Sequence, residues 1–336
     1  MIDDSRYFRQ AMLGRLRQAD FTGAKGPLSA LGLGGPQAEF ADGDVAAFTL
    51  EASPPAASSP ETVWWTQGVG AWGTIDGNGN AAEVSHSLGG FFTGVDHGFG
   101  EHWRGGIAGG YANSNVNDSA RASSAGIDTA HLGAYTGATY GPWNFRAGGA
   151  LSWSTINTNR SILFPGFADS ASAHYGATTT QLFDELGYGI ALGSIAVEPF
   201  AGLAWVHLAT DGFSETAGTS AALSGSSSTN DIGYSTLGTR VAATYGLPNG
   251  MALTTRASVA WQHAFGEMTP NAVLAFEGTQ AAFTVSGVPL ASDAALVETG
   301  FDILIAPRVT VGVSFAGQFA GGVQDYSIKG SLLIKF

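Results

Sequence analysis

The last residues of the chain, 325–336, read DYSIKGSLLIKF. Tyr326, Ile328, Leu332, Ile334 and Phe336 share one parity with Gly330, Ser327, Lys329, Ser331 and Lys335 share the other, and Leu333 breaks the alternation. Side chains of a β-strand point alternately to opposite faces, so this period of two predicts a strand with one apolar and one polar face. Chain ends of soluble domains generally fray into water. A final strand that closes on an aromatic residue is instead expected to be built into a sheet, and the question is which solvent its apolar face meets.

Composition narrows the answer. Of 336 residues 44% are hydrophobic but only 12% are charged, about half the share usual in globular proteins, and glycine occupies 49 positions. No apolar run of about 18 residues exists, which excludes a helical membrane span. A transmembrane β-barrel reconciles alternating apolar positions with scarce charge, because a closed sheet pairs its backbone groups and turns one face to lipid. The absence of cysteine suits passage through an oxidising periplasm. A net charge of −13 with no basic stripe argues against a nucleic-acid partner. The opening MIDDSRYFRQ lacks the apolar segment of a signal peptide, so the chain reads as a processed product, a C-terminal fragment or a truncated frame.

Three zones follow. Residues 1–20 hold the one convincing helix, over 3–18: Phe8, Met12 and Leu16 recur every four residues, Leu13 widens the stripe, and Asp3, Asp4 and Ser5 suit its start. Arg6, Arg9, Arg15 and Arg17 surround the stripe and are four of the chain's 14 basic residues. Residues 21–61, rich in Gly, Ala and Pro, read as an extended linker. Residues 62–336 read as strands at 62–75, 82–97, 101–116, 124–140, 143–157, 174–192, 195–210, 229–246, 251–266, 291–306, 308–319 and 324–336. That makes twelve antiparallel strands, the even number expected of a closed all-β transmembrane barrel.

The connections alternate in length. DGNGN (76–80), NDSARAS (117–123), NRSILFPGFADS (159–170), the stretch 211–230 and the stretch 267–290 are long; 97–101, GP (141–142), GS (193–194), PNG (248–250) and APR (306–308) are short. Outer-membrane barrels carry long outer loops and short periplasmic turns, which puts both ends of residues 62–336 on the periplasmic side. Trp64, Trp65, Trp103, Tyr140, Trp143, Tyr245 and Phe336 gather beside the short turns, where an interfacial aromatic girdle belongs.

The segment beginning WWTQGVGAWGTIDGNGN at Trp64, VEPFAGLAWVHLATDGFSETAG (197–218) followed by STLGTRVA (235–242), and WQHAFGEMTPNAVLAFEG (261–278) together resemble the autotransporter β-domain, the translocator of type V secretion. With Phe336 the resemblance spans roughly residues 62–336. It implies a monomeric twelve-stranded barrel among the lipids of a bacterial outer membrane, a helix threading its lumen, and an N-terminal passenger in cis carried to the cell surface. It also implies dealings with the barrel assembly machinery and periplasmic chaperones. Residues 3–18 match the luminal helix in place and character, with 38–50 as the alternative segment. Phe336 with Tyr326, Ile328, Leu332 and Ile334 resembles the C-terminal signal recognised during barrel assembly; the plainer reading makes Phe336 the last girdle aromatic. Some members of the family cut the passenger inside the barrel with luminal acids and an Asn at the junction, and residues 1–61 contain no Asn.

Other chemistry reads weakly. Gly68, Gly70 and Gly73 spell G-x-G-x-x-G, but a strand follows where a dinucleotide site needs a helix, so they read as close-packing positions in a curved wall. His97 and His102 flank a turn, with Asp96 before it, and no further metal ligand stands near. An outer-membrane barrel enzyme of protease or lipase type is the first rival, resting on His86, His131, His174, His207 and Asp211 towards the loop ends. A diffusion porin is the second. Inward-facing charges identified by parity are few, Glu185, Arg240, Arg256 and Lys329, which favours a helix-plugged lumen over an open pore. Glu185 is the named partner expected for the helix arginines, and neither catalysis nor a cofactor or metal is expected.

Overall fold

Alternating side chains after residue 61 build twelve long strands: β1 (Thr62–Ile75), β2 (Val84–Phe99), β3 (Trp103–Asp118), β4 (Ser123–Tyr140), β5 (Trp143–Phe164), β6 (Phe167–Tyr188), β7 (Ile195–Thr210), β8 (Ser228–Gly246), β9 (Ala252–Gly266), β10 (Asp293–Ala306), β11 (Val309–Ala320) and β12 (Val323–Lys335). This computed structural model describes residues 1–18, 30–31, 61–78, 81–219, 221–247, 250–277, 279 and 281–336. The interval read as a linker lies outside the described residues apart from Ala30, Leu31 and Glu61, and so does the alternative segment 38–50.

Each strand runs antiparallel to its sequence neighbours, and β12 pairs with β1, setting Ile334 opposite Trp64 and Ile328 opposite Gly70. The twelve-stranded sheet therefore closes on itself and presents no open edge to lipid. The Phe336 amide donates to the Thr62 carbonyl at 2.9 Å, which ties the last residue into the seam. Along β12 the odd residues Asp325, Ser327, Lys329 and Leu333 are buried in the barrel interior, while Ile328 and Phe336 are exposed on the outer wall. The alternation lapses at Leu333 because that inward side chain joins an apolar cluster with Val63, Trp65 and residues of the helix.

The ends differ from the expected loop pattern in two places. NRSILFPGFADS is not a loop: β5 and β6 continue through it until Phe164 and Phe167 stack 4.7 Å apart beside a two-residue turn. Cross-strand pairing carries this ladder past its neighbours, whereas a Pro-Gly pair with NRS (159–161) before it and DS (169–170) after it reads locally as a long loop. On the same long-connection side β11 meets β12 through Gly321 and Gly322 alone. The 211–227 and 267–292 connections fold further, pairing Phe213–Ser214, Leu223–Gly225, Asn271–Phe276 and Ala282–Ser286 into a separate four-stranded sheet. At the short-turn end Gly141 takes a φ of 57°, which a side chain would resist, and so lets β4 reverse into β5 in two residues.

Helix α1 (Ser5–Arg17) lies inside the barrel. Phe8, Met12 and Leu16, the residues spaced at four, have no accessible surface. Met1 packs beside Ile127, Ile156 and Ala177 towards the long connections, while Arg15 and Arg17 reach carboxylates near the short turns. Two expectations about individual residues fail. Trp65 does not belong to the outer girdle: it follows Trp64 directly, so strand alternation sends it inward, where its Nε1 donates to the Tyr135 hydroxyl at 2.6 Å. Among the three spaced glycines only Gly73 is a tight position; a Cβ at Gly68 would meet nothing within 4 Å and one at Gly70 only Ile328 at 3.8 Å.

Candidate functional site

The site is the lumen together with the helix that fills it. One side of α1 is apolar and packs on β1, β4 and β5. Phe8 lies with its ring 5.3 Å from Phe92 and 5.0 Å from the His131 ring, and Met12 and Leu16 continue the contact. Each such side chain contributes about 1.5–3 kcal/mol relative to a water-filled lumen.

The arginines hold the remaining faces. Arg15 forms a two-pronged pair with Asp96, Nε to Oδ2 at 2.7 Å and Nη2 to Oδ1 at 2.8 Å. Asp96 is also paired with Arg104 and accepts from the Tyr135 hydroxyl at 3.0 Å. Arg17 donates to both oxygens of Glu185, at 3.2 and 2.5 Å. Glu185 belongs to a buried cluster in which Arg146 and Arg240 each bridge it to Glu198, at 2.7–2.9 Å. Arg240 also lies over the Phe200 ring, 3.9 Å from its centre. Arg6 pairs with Asp325, to which Tyr7 donates at 2.7 Å and His86 approaches at 2.7 Å. Arg9 meets an amide rather than a carboxylate: it donates to Gln181 Oε1 at 2.9 Å, and Gln181 in turn donates to the Ser5 carbonyl at 3.2 Å.

Along the other flank of α1 runs a polar crevice with roughly 120 Å³ of open space, bordered by Gln10, Gly14, Arg17, Gln18, Arg256 and Lys329. Arg256 donates to Asp302 at 2.7 Å and Lys329 to Glu298 at 2.9 Å, so these two cations are paired within the wall.

Glu185, Arg240, Arg256 and Lys329 all face the lumen, and Glu185 stands where Arg17 ends. The expectation of few inward charges does not hold, because Asp96, Arg104, Arg146, Glu198, Glu298, Asp302 and Asp325 face inward as well. Their signal was strand parity: Asp325 shares the parity of Lys329, and Asp302 and Glu298 share each other's. On the outer wall Trp103, Tyr140, Trp143 and Tyr245 are exposed at the short-turn end. Trp103 Nε1 donates to the Tyr140 hydroxyl at 2.9 Å, and Trp143 meets Tyr188, which parity had not singled out, edge-on at 4.9 Å. Trp64, opposite Ile334 in the sheet, is half-buried.

The histidines do not converge. His131 pairs with Ser152 at 2.8 Å, His174 with Asn157 at 2.8 Å, His207 with Asp231 at 3.0 Å and His97 with Thr62 at 2.8 Å, each apart from the others. His102 stacks near Tyr140. Among the described residues no group of three or more His, Asp or Glu is arranged to hold a metal.

A plugged twelve-stranded barrel with these features has known relatives. Two extracellular serine proteases of Serratia marcescens are 32% and 31% identical over 335 residues, which is 100% of this chain and 29% of each protease. The chain thus spans less than a third of the length of these relatives. The fold is similar to the translocator domain of the autotransporter NalP from Neisseria meningitidis, with a TM-score of 0.64 at 14% identity over 82% of this chain and 88% of that one. It is also similar to the β-domain of the Bordetella autotransporter BrkA, with a TM-score of 0.60 at 15% identity over 81% and 98%. The family model for the autotransporter β-domain matches residues 64–316, and the chain belongs to that family of outer-membrane translocator barrels.

Proposed function

We propose that this barrel exports a passenger segment of its own polypeptide through the lumen that α1 occupies, and that α1 closes the lumen when export ends. The observation that carries this is the seating of α1. Its N-terminal end lies under the long connections, its C-terminal end near the short turns, and Arg6, Arg15 and Arg17 are each bound to a wall carboxylate. A polypeptide fused before Met1 would leave at the cell-surface end. The protease activity in the names of the Serratia relatives belongs to far longer proteins; here the barrel is the transport part, and a passenger of unassigned activity is its cargo. Tyr326, Ile328, Leu332, Ile334 and Phe336 serve as the assembly signal: they share the outer parity of the strand that closes the barrel, beside the Phe336 to Thr62 bond. The barrel assembly machinery and periplasmic chaperones are its partners on the way to the outer membrane.

Conductance tests the plug. In planar bilayers the full chain is expected to conduct weakly through the crevice beside α1, and a chain beginning at Thr62 to conduct many-fold more. Equal conductance of the two would favour an open porin over a plugged lumen.

A further inference from the structure

Most carboxylates of the wall are paired with a wall cation without the helix. Glu185 of β6 stands directly opposite Arg146 of β5 in the sheet register, and Glu198 of β7 directly opposite Arg240 of β8. Asp96 has Arg104 on the neighbouring strand, Asp302 has Arg256, Glu298 has Lys329 and Asp325 has His86. All these contacts join one barrel residue to another, so Arg15 and Arg17 of α1 are additional partners to carboxylates that already hold a wall cation, whereas Asp325, whose wall partner is a histidine, takes its permanent cation from Arg6 of α1. The pairs run round the lumen from β2 to β12, and most lie in the half nearest the short turns, where an exported chain enters.

Rings of one sign of charge select what passes a pore. A buried carboxylate without a partner is costly, and a cation that reaches it in good geometry lowers that cost. A lumen lined with bare Asp96, Glu185, Glu198 and Asp302 would hold each lysine or arginine of a passing chain. We propose that Arg104, Arg146, Arg240, Arg256 and Lys329 set the charge tolerance of export: by masking the luminal carboxylates they let acidic and basic segments through alike. This inference rests on the translocator function proposed above. It also accounts for how α1 is retained. With the wall near neutrality, no general attraction draws the helix in, and it is held by the matched geometry of pairs such as Arg15 with Asp96 together with its apolar face.

The test uses the full chain with a reporter polypeptide fused before Met1, the reporter's last stretch carrying either lysines or glutamates. Surface arrival is followed by protease accessibility on intact cells, and barrel assembly by heat-modifiable mobility. The wild-type chain is expected to deliver both reporters at the same rate. Arg104→Gln and Arg146→Gln are expected to slow the lysine reporter several-fold relative to the glutamate reporter, and Arg104→Lys and Arg146→Lys to restore parity. Wild-type discrimination between the reporters would overturn the inference alone. So would an unchanged ratio in the glutamine variants, or a shifted ratio that lysine does not rescue. Export of neither reporter by an assembled wild-type barrel would overturn the translocator function as well.

Discussion

Arg15 of α1 meets Asp96 of β2 through two parallel hydrogen bonds of 2.7 and 2.8 Å, with both side chains almost wholly buried. Asp96 also serves Arg104 and Tyr135, so losing Asp96 strands two guanidinium groups, whereas losing Arg15 leaves Asp96 partnered. Breaking a buried pair on the side that leaves charge unpaired costs about 3–5 kcal/mol. Asp96→Asn is therefore expected to lower the melting temperature of the detergent-folded barrel further than Arg15→Gln. Thermal scans with equal losses for the two variants would contradict the shared-carboxylate arrangement.

Adjacent tryptophans on opposite faces give a spectroscopic prediction. Trp64 shares its face with Ile334, while Trp65 is hydrogen-bonded to Tyr135 inside. In single-tryptophan variants, bromine carried on lipid chains is expected to quench Trp64 and to spare Trp65. Trp65→Ala removes a buried aromatic side chain at a cost of about 3–5 kcal/mol, and Trp64→Ala is expected to cost less.

The terminal strand yields a paired test in cells. Deleting Phe336 is expected to deplete the barrel from outer membranes while the protein is still made and exported to the periplasm. Ile334→Asp is expected to reduce insertion for a different reason, since a charge on the lipid face is disfavoured by up to a few kcal/mol according to depth. Normal amounts of heat-modifiable barrel after the deletion would reduce Phe336 to a girdle residue, and normal insertion of the aspartate variant would reverse the assigned faces of β12.

Gly73 sits between His86 and Asp325 in the sheet, opposite both. A Cβ there would come within 2.7 Å of the His86 ring and 3.0 Å of the Asp325 backbone, whereas one at Gly68 would meet nothing within 4 Å. Gly73→Ala is expected to cost about 1–3 kcal/mol through overpacking and through disturbance of the His86–Asp325 contact. Gly68→Ala is expected to leave the melting temperature unchanged, and similar behaviour of the two variants would refute this placement.

The sequence by itself determined the architecture. A period of two from Thr62 to Phe336, scarce charge and twelve strand-length segments are local signals, because a strand's faces follow from the backbone alone. The spacing of Phe8, Met12 and Leu16 marked α1 for the same reason. Parity likewise placed Glu185, Arg240, Arg256 and Lys329 on the inward face. Only the tertiary structure decided which charges meet. Arg15 and Asp96 are 81 residues apart and Arg17 and Glu185 are 168 apart, and those distances are closed by the stagger of the barrel and the depth of the helix within it. Trp65 lies inside although an adjacent tryptophan pair near the short turns reads as a girdle, because its parity is opposite to that of Trp64. The run from Asn159 to Ser170 is strand rather than loop, a difference its local sequence does not carry, because a Pro-Gly turn reads alike in a loop and at the tip of a long hairpin. In both cases the deciding contact, Tyr135 for Trp65 and Phe167 for Phe164, comes from another strand.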